Sequence, residues 1–407
     1  MNANSAAAQH NAATHFEDQI LEQGDLISKK LHLLSVQRFP PNAKKTLRTF
    51  SLAEVASYVG VSQSTLKKLH LEGKGPSPQT SSSGRRSYTA AQMLELRHYL
   101  DAHGRSDSRM YVPHRRSGEK LQIIAVVNFK GGSGKTTTTA HLAQYLALTG
   151  HRVLAVDLDP QASLSSLHGF QPELDQVPSL YDAIRYDEQK KPLSEIIRPT
   201  NFPGLDIVPA NLDLQEYEYD TPLAMSQKTT NEGRTFFTRI SRALAEVEDK
   251  YDVVVIDCPP QLGYLTLTAL TAATSVLITI HPQMLDVMSM GQFLLMLGGI
   301  LKPIRAAGAE VNLSWYRYLI TRYEPTDVPQ AQMVGFMSTM FNEYMLKTQM
   351  LKSTAVSDAG ITKQTLYEVE RAAMNRGTYD RAIESLDAVN SEIAELIHQS
   401  WGRRVVG

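Results

Sequence analysis

The chain has 407 residues, 42% hydrophobic and 20% charged, too many for one core, so two or more domains are expected. Its 41 Lys+Arg against 42 Asp+Glu leave a net charge of −1, and its single cysteine, Cys258, excludes a disulfide framework or a CxxC-type metal or cluster site. No continuous apolar run approaches the roughly 18 residues of a bilayer span and no apolar segment opens the chain, so neither secretion nor membrane insertion is expected.

The near-neutral total hides an asymmetry. Residues 1–120 carry 17 Lys/Arg and 10 Asp/Glu, or +7, which leaves 24 against 32, or −8, for the rest. A basic front on an acidic body points to a polyanion-binding module joined to another activity; the alternative is two solvated surfaces that differ without consequence. Residues 1–15 are of low complexity and read as disordered. Over Phe16–Val36, Ile20, Leu21, Leu26, Ile27, Leu31 and Leu34 recur at near-helical spacing around Gly24. That predicts an amphipathic segment broken at the glycine, usable as a dimerisation arm and ended by Phe39-Pro40-Pro41. Tail and arm are assigned to 1–45.

Residues 46–102 read as a small helical domain. Ser51-Leu52-Ala53-Glu54 forms a capping box, Leu52, Val55, Ala56 and Val59 mark an inward helix face, and Gly60 suits the C-terminal turn. Ser62 caps a second helix whose Leu66 and Leu69 face inward, leaving Gln63, Ser64, Lys67 and Lys68 outward. Two short helices with a polar, basic second member describe a helix-turn-helix. A Ser/Pro-rich loop then leads to Gly84-Arg85-Arg86-Ser87-Tyr88 and to a third helix opened by Thr89 and Gln92, with Met93, Leu96 and Leu100 inward. Arg85 and Arg86 stand where a wing would touch phosphates. A three-helix dimerisation domain with a charged face is the competing reading. Residues 103–120 are polar and basic and read as a linker.

From residue 121 short β-branched runs alternate with helical stretches. Strands are expected at Ile123–Asn128, Arg152–Asp157, Leu205–Pro209, Asp252–Asp257, Val276–Ile280 and Tyr316–Thr321, and helices at Thr136–Leu148 and Phe236–Val247. Continuous apolar runs fit strands buried on both faces, and the alternation fits parallel crossovers. The fold class is α/β: a largely parallel sheet flanked by helices over 121–407, with the smaller helical domain in front.

Phe129-Lys130-Gly131-Gly132-Ser133-Gly134-Lys135-Thr136-Thr137 follows the first of these strands and opens a helix. This is the context of a phosphate loop, whose glycines let backbone N–H groups curl around an anion. Lys135 supplies a charge for the β- and γ-phosphates, Thr136 a hydroxyl for Mg2+, and Thr137 a reach to a further phosphate oxygen. Phe129 stands where the usual pattern has its first glycine, and a second lysine, Lys130, precedes Lys135 by five residues.

This two-lysine loop resembles the deviant Walker A motif of the ParA/MinD ATPases. The resemblance runs from Leu121 to about Leu396 and implies ATP/ADP and Mg2+ as cofactors. It also implies that Lys130 reaches the nucleotide of a partner subunit in an ATP-sandwich homodimer. Val153–Asp159 followed by Pro160-Gln161 resembles the family's second motif, which would make Asp159 the residue that orients or deprotonates the attacking water and Asp157 a support of the magnesium shell. Val253–Asp257 with Cys258-Pro259-Pro260 resembles Walker B and its switch, with Asp257 holding Mg2+ through water. By the same resemblance Thr321 and Arg322 receive adenine, and Lys352–Tyr367 belongs to a dimer- and DNA-facing region. Arg322, Lys363, Arg371, Arg376 and Arg381 are candidates for a basic track, solvated helix faces being the alternative.

The helical front end resembles the winged helix-turn-helix of the larger plasmid ParA proteins, above all those of replication–partition operons. The expected function is therefore a plasmid-partition ATPase that hydrolyses ATP weakly and is stimulated by DNA and a centromere-binding partner. It would bind DNA non-specifically over the nucleoid, bind its operator and repress its own operon in the cytoplasm. A nucleotide-regulated repressor without transport is the alternative. A membrane-cycling relative is disfavoured, because the last helix sets Glu384, Asp387, Glu392 and Glu395 opposite its apolar face. A reductase of the nitrogenase iron-protein type lacks the thiolates it needs.

Overall fold

The computed structural model describes residues 15–38, 45–80, 84–104, 110–171, 177–226, 233, 235–309 and 311–403. Residues 1–45 form one unit and 46–407 another. The first contains helix α1, Phe16–Arg38, which runs unbroken through Gly24, against the expected break. An interior glycine costs only about 1 kcal/mol against alanine, and the Asp25–Lys29 pair at 2.6 Å bridges the next turn. Phe16, Ile20, Leu21, Leu26, Ile27 and Leu33 of α1 are exposed. The side chains of Leu31 and Leu34, Phe39-Pro40-Pro41 and residues 1–14 lie outside the described residues.

The second unit opens with the helical module. Ser51 and Glu54 close the capping box of α2 (Leu52–Val59), which ends on left-handed Gly60 at φ +77°. Ser62 caps α3 (Gln63–Leu71), and Thr89 with Gln92 caps α4 (Ala90–His103). Three short strands, β1 (Phe50–Ser51), β2 (Gln79–Thr80) and β3 (Arg86–Tyr88), form an antiparallel sheet in the order β1-β3-β2. The antiparallel β2–β3 pair stands where the sequence places a wing.

The main sheet comprises β4 (Gln122–Val127), β5 (Val153–Asp157), β6 (Arg198–Pro199), β7 (Leu205–Val208), β8 (Val253–Asp257), β9 (Ser275–Ile280) and β10 (Trp315–Ile320). Its order is β10-β9-β4-β8-β5-β7-β6. Every pairing is parallel except β6 with β7. The two-residue edge strand β6, closed by a proline, has no apolar run to announce it. All residues of β4, β5, β8 and β9 are buried, as their unbroken apolar runs require. Helix α5 (Lys135–Leu148) packs against α15 (Arg376–Ser400). Between them in the chain lie α6 (Ser163–Leu167), α7 (Leu180–Ile184), α8 (Leu193–Ile196), α9 (Glu216–Ser226), α10 (Arg239–Ala245), α11 (Tyr264–Ala272), α12 (Met284–Ala306), α13 (Val328–Phe341) and α14 (Thr354–Ile361).

The helical module is not hinged on a loose tether. Its Phe50, Val55, Val59, Met93 and Leu96 share one hydrophobic cluster with Leu146 of α5 and with Tyr367, Leu386 and Ile393. The stretch expected to be a linker is packed down from residue 110 onward. Arg115 donates to Tyr251 O and its backbone N–H to Asp252, while Arg403 pairs with Glu119 at 2.6 Å and donates to Pro113 O and His114 O. Arg97 of α4 is 3% exposed and donates to Tyr58 O at the end of α2, to Leu148 O at the end of α5 (3.2 Å) and to Tyr111 O (2.9 Å). Burial lowers its pKa to about 10, which leaves it charged at neutral pH. The negative ends of two helix dipoles and three carbonyls stabilise that charge.

Two expectations about apolar helices change. Helix α12 is long and apolar enough to cross a membrane, although Asp286, Gln292 and Lys302 break the apolar run in sequence. Val287, Met290 and Phe293 of α12 are buried, while Met284, Leu285, Met288 and Leu295 are exposed. In α15, Leu386, Val389, Ile393 and Ile397 are buried. The opposite face is not simply solvated: Asp387 accepts from Tyr367 Oη (2.7 Å) and Glu392 from Lys347 N and Thr348 N.

His141 ties α5 to the C-terminal region. Its Nδ1 donates to Thr137 O (2.7 Å) and its Nε2 accepts from Leu366 N (3.2 Å), an arrangement only the neutral ring can make. Burial lowers its pKa to about 4. Its contribution is complete above the unfolded value near 6.5 and is lost as pH falls through the folded value. Thermal melts should therefore show stability dropping between pH 6.5 and 4, by about 3 kcal/mol for this one group. A His141→Gln variant should be less stable at pH 7.5 yet lose less on acidification; an acid slope as steep as that of the parent would refute the assignment.

Candidate nucleotide site and DNA-reading module

Strands β4, β5 and β8 are neighbours in a parallel array, so the loops that follow them open on one edge of the sheet, where α/β folds bind ligands. The register sets Asp157 opposite Asp257. The loop between β4 and α5 presents the two lysines. Gly132 and Gly134 have φ of +76° and +86°; a side chain at Gly134 would be strained and would press on Thr321 Cβ at 3.4 Å.

The loop is braced from three strands. Asn128 donates to Thr279 O on β9 and accepts from Lys130 N (2.9 Å). Thr279 Oγ1 donates to Ser133 Oγ (3.1 Å), and beyond β10 Thr321 Oγ1 donates to Ser133 O (2.8 Å) and Arg322 Nη1 to Gly132 O (3.1 Å). Thr321 is fully buried with its hydroxyl on the loop, and Arg322, at φ +54°, holds the loop from outside. Of the expected basic track, Arg322 is exposed beside the loop and Arg371 donates from Nε to Asp380 at 2.6 Å.

Lys135 is buried and its Nζ donates to Lys130 O at 3.3 Å. Burial lowers its pKa, opposed by Asp257, Cys258 and Asp159. Asp257 is fully buried, and among the described residues neither carboxylate oxygen has a hydrogen-bond partner. Burial and the neighbouring Asp157 charge push it well above the ordinary carboxylate range, while the Thr136 hydroxyl and Lys135 pull the other way. A buried carboxylate without a partner, beside a threonine hydroxyl and an ammonium, fits a divalent cation with phosphates. Thr136 and Thr137 are half-buried.

Asp157 accepts at Oδ2 from Ser165 N and Ser165 Oγ (both 2.7 Å) and at Oδ1 from Asp159 N (3.2 Å). Burial raises its pKa to about 7 against those bonds. These bonds fix the β5–α6 turn beside Asp257. Asp159 is half-buried, and its Oδ1 accepts from Gln161 N (3.0 Å). Lys130 points to neither acid: its Nζ lies 2.8 Å from Asp286 at the start of α12. Glu218 of α9 holds Tyr264 N and Leu265 N, fixing the end of the loop after β8.

Sequence reasoning missed Asn128, Ser165, Glu218 and Asp286. Asn128 had a signal, as the one polar residue closing an apolar strand directly before the loop. The others act across 8, 46 and 156 positions of chain, and no local pattern marks them.

In the helical module, Gln63, Ser64, Lys67 and Lys68 of α3 are exposed, with Leu66 inward. Arg85 is exposed at the wing and Arg86 half-buried on β3. The module thus carries both a polar, basic helix and arginines on its strand pair, the residue types that groove and phosphate contact require.

Comparisons with known proteins agree with this geometry. Residues 121–307 match an AAA domain family and residues 50–102 the MerR HTH family regulatory proteins. The chain is 81% identical over 406 residues to "Putative replication protein A" of Sinorhizobium fredii, each covered in full. It is 31% identical over 270 residues to a ParA family protein of Chlamydia trachomatis, covering 65% of this chain and 97% of that one. A solved structure titled "Partition Protein" shares the fold over 94% of this chain and 99% of its own, with a TM-score of 0.58 at 18% identity. Cobyrinic acid a,c-diamide synthase from Mycobacterium smegmatis, solved with ADP and magnesium, is 26% identical with a TM-score of 0.52, over 70% of this chain and 97% of that one. The chain belongs to the ParA family of P-loop ATPases and carries a helix-turn-helix module in front of the ATPase domain.

Proposed function

We propose that the chain is a plasmid-partition ATPase that also represses its own operon. The observation that carries this reading is the carboxylate of Asp257, buried and without a hydrogen-bond partner, beside Lys135 and Thr136 in a phosphate loop. Lys135 exchanges the Lys130 carbonyl for the β- and γ-phosphates, and backbone N–H groups of Gly131, Gly132, Ser133 and Gly134 cradle them, with Thr137 on a further oxygen. Thr136 and Asp257 would hold Mg2+, which neutralises phosphate charge. Asp159, with Oδ1 anchoring its turn, offers its other oxygen to the attacking water. Lys130 serves the nucleotide of a second subunit. The exposed Met284, Leu285 and Met288 beside its present partner support a subunit interface there, and the exposed apolar residues of α1 support a dimerisation arm.

In this cycle ATP closes a homodimer that binds DNA non-specifically over the nucleoid, in the cytoplasm. A centromere-binding partition protein stimulates hydrolysis and releases it. Operator binding falls to Gln63, Ser64, Lys67, Lys68, Arg85 and Arg86. A double Arg85→Ala, Arg86→Ala variant should weaken operator binding and flatten the plot of log Kd against log salt by about one unit per lost phosphate contact. An unchanged slope in a binding titration excludes the wing as a phosphate contact.

The shared core and Arg97 junction between module and ATPase also favour a second reading, a nucleotide-regulated repressor without transport. Turnover separates the two. ATPase rates are to be measured alone, with DNA, and with DNA plus the product of a neighbouring gene. Partition requires the three-component rate to exceed the sum of the separate stimulations several-fold; mere additivity selects the repressor.

A further inference from the structure

One short piece of chain joins the two acidic turns of the site. The ladder between β5 and β8 fixes the backbone only as far as Asp157 and Asp257. Beyond one strand end, Ala210 N donates to Ser165 Oγ (2.9 Å), and Ser165 donates its hydroxyl and its N–H to Asp157 (both 2.7 Å), at the root of the turn that carries Asp159. Beyond the other, Glu218 accepts from Tyr264 N and Leu265 N (both 2.9 Å) at the start of α11, where the loop leaving Asp257 ends. Between these contacts the chain passes through a single 3-10 turn, Leu212–Gln215, directly into α9, and Leu214 and Tyr217 are fully buried. Residues 210–218 are thus a stiff brace with one end on each turn. The loop reached by Glu218 has little freedom of its own. Cys258 N is bonded to Val126 O (3.2 Å), Pro259 and Pro260 have φ fixed by their rings, and Gln261 O accepts from Thr266 Oγ1. A displacement of the first turn of α11 therefore travels back toward Asp257.

We propose that Glu218 is a positioning residue for the ATPase reaction: by tying α9 to α11 it holds the loop that leaves Asp257 against the turn that carries Asp159, so that the acid for Mg2+ and the acid for the attacking water stay in register. The inference rests on the reading of Asp257 and Asp159 in those two roles. Each turn has internal bonds of its own, so what Glu218 fixes is their mutual placement. A carboxylate suits the task, because its two oxygens take both N–H groups and the start of α11 carries the positive end of the helix dipole. Gly263 shows how closely that carboxylate is seated. Its backbone is extended (φ −98°, ψ −171°), a conformation open to residues with side chains, yet a Cβ there would overlap the Glu218 carboxylate. The glycine is needed for the close approach and not for its backbone angles.

Calorimetric titration of the full chain with a non-hydrolysable ATP analogue, with and without Mg2+, tests this beside single-turnover cleavage of ATP. Glu218→Ala should reduce both the gain in affinity that Mg2+ brings and the cleavage rate about tenfold, the scale on which residues behind a metal site act. The Mg2+-free Kd should stay within about twofold of the parent, because the phosphate loop makes those contacts alone. Glu218→Gln keeps the shape and one acceptor; it guards against a folding defect in the first variant and should lie between it and the parent. Gly263→Ala should reproduce the loss by pushing the carboxylate off its two N–H groups. In the Glu218→Ala background it should add nothing, a non-additivity that a general loss of stability would not produce. A Mg2+ gain as large as the parental one in both Glu218→Ala and Gly263→Ala overturns the proposal, as does an equal fall in affinity with and without Mg2+, the mark of a purely structural cap. A parent that gains nothing from Mg2+, or an Asp257→Asn variant that keeps the whole gain, overturns the underlying reading instead.

Discussion

Lys135→Ala is expected to raise the ATP Kd at least a hundredfold while leaving the nucleotide-free protein as stable as before. The two halves of this expectation have separate physical origins. The ammonium is buried and its pKa lowered by that burial. Its one hydrogen bond, to Lys130 O, is long at 3.3 Å. Such a group contributes little to the resting fold. Against phosphates it makes short, charge-assisted bonds in a site of low dielectric, where losing one partner of a buried pair costs about 3–5 kcal/mol, or two orders of magnitude and more in Kd. Calorimetric titration with ATP and Mg2+, alongside a thermal melt without them, reads both halves. Retained affinity would move the phosphate contact elsewhere in the loop. Lost affinity with a melting temperature reduced by several degrees would make Lys135 structural.

That separation depends on how the loop is supported, and here sequence and structure divide instructively. The loop was legible because phosphate chemistry needs a contiguous set of residues: Lys130 to Thr137 are neighbours in sequence. The parallel sheet was legible because β4, β5, β8 and β9 are buried on both faces and so read as unbroken apolar runs. What holds the loop was hidden. Thr321 and Arg322 act on Ser133 O and Gly132 O from nearly two hundred residues away, and a hydroxyl that braces a carbonyl looks in sequence like one that meets a base. Arg97 was invisible for a related reason. An arginine within a helix reads as solvated, and only the convergence of two helix C-termini on it turns it into the junction between the DNA-reading module and α5. The same convergence explains the packed linker. Once the two hydrophobic faces merge into one cluster, residues 110–120 have a surface to lie on. Gly24 erred in the other direction, since a local breaker signal was outweighed by the helix formers on either side.

The two acids at the end of β5, to which the sequence motif assigns separate roles, make the second large prediction. Asp157 is fully buried and accepts bonds from Ser165 N, Ser165 Oγ and Asp159 N; it builds the turn. Asp159 is half-buried and accepts a single bond from Gln161 N, so it is the acid with an oxygen to offer a water. Asp159→Ala should therefore lower kcat by two to four orders of magnitude, the range general-base catalysis supplies, while ATP affinity stays within a few-fold and the ATP-bound dimer persists long enough to isolate by gel filtration. Asp157→Ala should instead strip the turn of its acceptor and lower the melting temperature by several degrees, since buried donors left without partners cost about 1–3 kcal/mol each, with ATP affinity and turnover falling together. If Asp159→Ala hydrolysed ATP at the parental rate, the catalytic carboxylate would have to be sought at Asp257, the remaining acid in reach of Lys135. A single-turnover experiment, in which bound ATP is chased rather than competed, distinguishes that outcome from a mere change in product release, because only loss of the water-activating group slows the first cleavage event.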